Sequence, residues 1–292
     1  MFFKNIFSNP IAFSSNLRGV LWLSAGTFFL ATVDVFIKTV GLKFHPIEIT
    51  FFRYAVGLLV LTPVFIHTGW QKLRTKKFGL HCTRMVFAFT SNFLLIVSVI
   101  YLSLADATAY MFSKPLFTTL VAVILLGEVV KSRRWIATAV GFGGVLIILK
   151  PGTANMDLTA IVAILSALTF AITNVLNRML SKTEPTNRIM FYYHLFGVAL
   201  FLGPSIWVWE MPIGKEWFFL TSLGVLNTAA LFCFLRAFAV GEASAVGPAE
   251  NMRLVYAALF GFFLFSESPS IWTILGATII IASTFYISRQ NA

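Results

Sequence analysis

The chain has 292 residues, of which 58% are hydrophobic and only 11% charged, and its mean hydropathy is +0.86. A soluble domain carries about 25% charged residues, so the composition excludes an ordinary water-soluble globule and points to α-helices in lipid, where each segment must satisfy its own backbone. The net charge of +11 does not indicate nucleic acid, because the cations sit between apolar runs, where they act as topology signals, and no nucleic-acid-binding motif is present.

A helix needs about 20 mostly apolar residues to cross a bilayer, and the sequence offers ten such spans in chain order. Residues 1–17 read as a cytoplasmic tail, since Asn5, Asn9 and Pro10 interrupt its apolar residues. The first span, 19–40, carries Asp34 and Lys38 four apart on one face. The second, 46–66, places Arg53 about two turns in. The third is 81–103. The fourth, 106–126, holds Tyr110, and Lys114 immediately before Pro115. The fifth, 133–149, contains GFGG at 141–144. With no preceding strand and no GxGxxG spacing, this motif predicts close helix packing and not a nucleotide loop. The sixth, 158–179, contains Asn174 and Asn177; the seventh, 188–208, contains Tyr193 and His194; the eighth, 217–240, contains Asn227 and Arg236. The ninth, 244–265, opens GPAENMRLVY, with Glu250 and Arg253 three apart beside Pro248, and the tenth is 270–288.

With the N-terminus placed inside, fourteen Lys and Arg fall in the inner segments, among them Arg84, and only Lys43, Lys150 and Lys215 fall outside. That bias predicts both termini in the cytoplasm. The second half echoes the first. LSAGTF at 23–28 matches LSALTF at 165–170, DATAY at 106–110 matches EASAV at 242–246, and LLGE at 125–128 matches LFSE at 264–267. Five spans per half is an odd number, so the halves enter the membrane in opposite senses. The expected fold is an all-α integral membrane protein of ten transmembrane helices in two inverted five-helix repeats, 18–150 and 151–292. Such repeats are a mark of secondary transporters.

These residues also carry a family resemblance. ADATAYMFSKPLFTTLVAVILLGEVV with WIATAVGFGGVLIILKP, and GEASAVGPAENMRLVYAALFGFFLFSES with WTILGATIII, resemble the EamA family of the drug/metabolite transporter superfamily, over the whole chain from about residue 19. The resemblance implies ten helices, alternating access and a central cavity between the repeats, with no fixed substrate.

Charges within the bilayer usually face a cavity and mark function. The candidate substrate-binding residues are Asp34, Lys38, Arg53, Tyr110, Lys114, Asn177, Tyr193, Arg236, Glu250 and Arg253, with Asp34 and Glu250 as the proton-coupling candidates. Pairing that only locks helices together is the alternative role. For Glu267, at a span end, capping or loop contact is the expectation, as it is for Glu128. Five of the deep charges, Lys38, Arg53, Lys114, Arg236 and Arg253, are cations against two anions, which predicts an anionic or zwitterionic cargo. Cys82 and Cys233 are far apart, the histidines lack ligand spacing, and no P-loop occurs. No metal, cofactor or nucleic-acid partner is expected. The sequence thus predicts a bacterial inner-membrane carrier of a small polar metabolite, an amino acid or a compound like S-adenosylmethionine. Its expected partners are that metabolite, membrane lipid and a proton or counter-substrate, and it is expected as a monomer or homodimer. A broader exporter, a lipid-modifying membrane enzyme and a scaffold subunit are the alternatives, and the enzyme lacks a visible reactive cluster.

Overall fold

The computed structural model describes residues 15–127, 132–149, 158–181, 183–240 and 246–289, and every regular element among them is helical. Glu128, Lys131, Lys150, Lys182 and the tail through residue 14 lie outside the described residues. The helices are α1 (Ser15–Gly41), α2 (Pro46–Thr68), the one-turn α3 (Trp70–Leu73), α4 (Phe78–Tyr101), α5 (Leu104–Met111), α6 (Lys114–Leu126), α7 (Ser132–Leu149), α8 (Leu158–Ser181), α9 (Thr186–Trp207), α10 (Lys215–Val240), α11 (Met252–Phe265) and α12 (Ile271–Arg289). A 3-10 turn, Gly247–Asn251, leads into α11.

Seven helical segments are long and apolar enough to cross a membrane by length and composition, counting Leu104–Leu126 as one. Shorter apolar stretches run at Trp135–Leu149 and Ile271–Ser283. Large apolar side chains such as Leu59, Ile66, Ile124, Trp207 and Phe263 stand exposed on the outside. A protein that buries none of these against itself needs lipid around it, and the chain is a multi-pass membrane protein.

Local sequence sets the helix ends. His45 caps α2 by accepting from Ile47 N, with Pro46 at the start, where its missing N–H costs nothing. Ser103 caps α5 by accepting from Asp106 N. Helices α6 and α11 both end on a left-handed residue, Gly127 at φ 64° and Ser266 at φ 55°. The expected fourth span is broken at Phe112–Ser113, just before Lys114 and Pro115. The ninth begins as a 3-10 turn instead of continuous α-helix.

The main packing pairs are α1 with α10, α4 with α8, α7 with α12, and α2 with α9. Small residues let these helices approach. A Cβ on Gly144 would lie 2.7 Å from Gly276 O, and one on Gly276 would lie 2.5 Å from Gly144 O, so the α7 and α12 backbones touch there. GFGG is therefore a packing motif, as its sequence context predicts. At the α8–α9 junction, Arg188 Nη1 donates to Glu184 Oε2 at 2.8 Å, and Thr75 donates to Glu184 Oε1 at 2.9 Å. Arg188 also holds Lys72 O through Nε and Nη2. This clamp joins the segment after α3 to the start of α9.

Candidate functional site

Four charged side chains from both halves of the chain meet inside the helices. Asp34 on α1 is 3% exposed and accepts from Arg253 Nη2 at 2.7 Å. Lys114, the first residue of α6, has its Nζ 3.8 Å from Glu250 Oε1, and the same Nζ lies 4.7 Å from the Phe170 ring centroid. Glu250 sits on the 3-10 turn and Arg253 on the first turn of α11. Two interruptions of helical structure thus supply three of the four charges, the arrangement by which broken helices build sites at membrane depth. The Asp34 side chain is 4% exposed and that of Glu250 is 45% exposed. The first is locked in its ion pair, whereas the second, beyond its contact with Lys114, stands partly open.

The neighbours differ from those that spacing suggests. Asp34 and Lys38 share a face of α1, yet Lys38 turns away to Glu267 Oε1 and Leu102 O. Glu267 Oε2 also accepts from Leu104 N at 2.9 Å. Lys38 therefore belongs to a latch between α1, the α4–α5 corner and the α11–α12 corner, and Glu267 has the loop contact expected of it. Glu250 and Arg253 do not pair with each other; each takes a partner from the first half.

A second polar group lies among α2, α4, α8, α9 and α10. Arg53 Nη2 donates to Asn227 Oδ1 at 2.7 Å, and Arg84 Nη1 to Asn177 Oδ1 at 2.7 Å. The Tyr54 and Tyr193 hydroxyls are 3.2 Å apart, and Asn92 donates to Tyr193 at 3.1 Å. Arg84 Cζ lies 5.5 Å from the Tyr193 ring centroid. His194 faces Met190 O through Nδ1 at 3.0 Å.

Arg53, Asn177 and Tyr193 are thus brought together in this second group. Tyr110 is 4% exposed on α5 and packs in the main apolar core. Arg236 joins neither group: it is exposed on α10, with its guanidinium 5.5 Å from the Phe232 ring one turn earlier. Its aromatic neighbour and exposed face hold it outside the interior. Arg84 is the residue that sequence reading misplaces. It counts there with the inner-segment cations, but it is 2% exposed inside α4. Tyr54 and Asn92 also enter these networks without a signal in spacing.

The family model described as "EamA-like transporter family" matches residues 17–150 and again residues 157–289. The S-adenosylmethionine uptake transporter of Rickettsia felis is 31% identical over 276 residues, covering 94% of each chain. The riboflavin transporter of Vibrio cholerae is 28% identical over 278 residues, covering 94% of this chain and 93% of that one. One solved crystal structure aligns with a TM-score of 0.64 at 17% identity, over 94% of this chain and 97% of the other, and shares the fold.

Proposed function

The chain belongs to the EamA-like transporter family, and on that footing we propose that it is a secondary carrier built as ten helices in two inverted five-helix repeats, 18–150 and 151–292. The partner exchange between helices supports the repeat. Helix α1 packs on α10 and on α11, while α8 packs on α4 and on α6. These are the same contacts with the two halves interchanged. Lys114 and Arg253 each precede the closing glutamate of their half, Glu128 or Glu267, by fourteen residues. The second half carries three more residues between its EASAV motif and that cation, and the 3-10 turn accommodates them.

The cargo of this reading has a zwitterionic amino-acid head, as S-adenosylmethionine does in addition to its sulfonium charge. The single observation that carries it is the group Asp34–Arg253 and Lys114–Glu250, which offers both signs of charge to one small molecule. Relatives named for S-adenosylmethionine uptake agree with it. The halves rock about this site in alternating access, in the bacterial inner membrane, with both termini in the cytoplasm and the protein acting as a monomer or homodimer. Glu250, with its exposed carboxylate, is the proton carrier, and Asp34 holds Arg253 in place.

Proteoliposomes test this. Labelled S-adenosylmethionine should exchange with internal unlabelled compound, and a pH gradient should drive its accumulation. Glu250→Gln should abolish accumulation while leaving exchange. Full accumulation by that variant, or failure of S-adenosylmethionine to exchange at all, overturns the reading.

A further inference from the structure

Arg84 and Arg53 pose a problem that the four-charge group does not solve. Arg84 is 2% exposed and Arg53 9% exposed. Each donates to an amide oxygen, and neither has a carboxylate partner among the described residues. Their Nε atoms are buried with no hydrogen-bond partner, and Arg84 Nη2 is left with Met85 Sδ, a weak acceptor. A buried guanidinium pays a large desolvation cost that neutral acceptors do not offset. Among the described residues, other cations packed between helices have a carboxylate: Arg253, whose Nε is likewise unpartnered, has Asp34, Lys114 has Glu250, Lys38 has Glu267 and Arg188 has Glu184. The two exceptions are not scattered: Arg84 lies against the Tyr193 ring, and the Tyr193 hydroxyl meets that of Tyr54, the residue next to Arg53.

We propose that Arg84 and Arg53, with Asn177, Asn92 and Tyr193, form an oxyanion subsite that takes the carboxylate or phosphate of the cargo and is separate from the four-charge group. The identification of the ligand as cargo rests on the carrier reading; the subsite itself does not. The guanidinium fork matches a planar or tetrahedral oxyanion with two parallel hydrogen bonds. Asn177 and Asn227 hold one arm of each fork, and the free Nε edges remain for the anion. Tyr193, fixed by Tyr54 and Asn92, supplies the surface against which Arg84 is oriented.

The test uses the purified full chain in detergent and reads its thermal midpoint in sodium acetate, sodium phosphate and sodium chloride at equal ionic strength. An ion that binds only the folded state raises that midpoint. Acetate or phosphate should raise it by several degrees over chloride. Arg84→Met and Arg53→Met should each remove the rise, Arg84→Lys should retain part of it, and Arg236→Met should leave it intact. In chloride, Arg84→Met should melt at or above the wild-type midpoint, because an uncompensated buried charge has been removed. A response to acetate alone identifies a carboxylate site, and a response to phosphate alone a phosphate site. No rise with either oxyanion overturns the proposal, as does a rise that survives Arg84→Met. Loss of folded protein in both Arg84→Met and Arg84→Lys makes Arg84 a packing residue and overturns it as well. Oxyanion binding without flux of any metabolite would sink the carrier reading alone. Flux of S-adenosylmethionine with anion-independent melting would sink this subsite alone.

Discussion

Glu184 shows how neighbours decide the behaviour of one carboxylate. Burial pushes its pKa up, but hydrogen bonds from Arg188 and Thr75, with the charge of Arg188, outweigh that and hold it below the ordinary carboxylate value. A lowered folded pKa means the stabilisation is present above the unfolded value, about 4.3 for glutamate, and is lost as pH falls through the folded one. Wild type should therefore melt above Glu184→Gln near neutral pH, and the gap should shrink progressively as pH falls below the unfolded glutamate value of about 4.3. A gap that does not shrink at acid pH, or no gap near neutral pH, would remove Glu184 from the clamp. At this scale the sequence is legible for residue type and poor for partners. Asp34, Lys114, Glu250 and Arg253 are visible as charges in apolar runs, because such charges are rare and expensive. That Lys38 leaves Asp34 for Glu267, 229 positions away, depends on how two distant corners meet, and helix periodicity contains no such information. Arg84 was hidden for a different reason: it lies near the start of a span, where a cation reads equally well as a loop charge.

Among elements, the α7–α12 contact is demanding, since it is backbone against backbone. Side chains can turn aside, but a carbonyl within a helix cannot. Gly144→Val should destabilise the fold by about 2 kcal/mol or more, the upper part of the range for overpacking, whereas Gly143→Ala, with open space around its Cβ position, should be close to neutral. Equal thermal midpoints for the two variants would contradict the contact. GFGG was readable as packing because its surroundings are apolar and lack a strand. The break at Phe112–Ser113 and the 3-10 turn were less readable. Pro115 and Pro248 mark both places, but a proline also begins an uninterrupted helix well, so neither proline alone says where the α-helix stops.

For the whole molecule, the corner latch of Lys38, Glu267, Leu102 and Leu104 joins the two halves at one end. Breaking it should open that end. In a background with Cys82 and Cys233 replaced by serine, a Thr108→Cys probe, one turn beyond Leu104 and buried at 4% exposure, should react several-fold faster with an impermeant maleimide once Glu267→Gln is added. Unchanged labelling would mean that the latch does not control access. The helical class and the duplicated motifs were legible from composition and repeats, while the pairing α1–α10 and α4–α8 required the folded chain. The two ion pairs Asp34–Arg253 and Lys114–Glu250 together sum to zero charge. A solute of no net charge placed there would leave the group electrically neutral. The membrane voltage, which acts at about 2.3 kcal/mol per elementary charge per 100 mV, would then have no grip on this group itself, only on a net-charged solute or ion that it takes up.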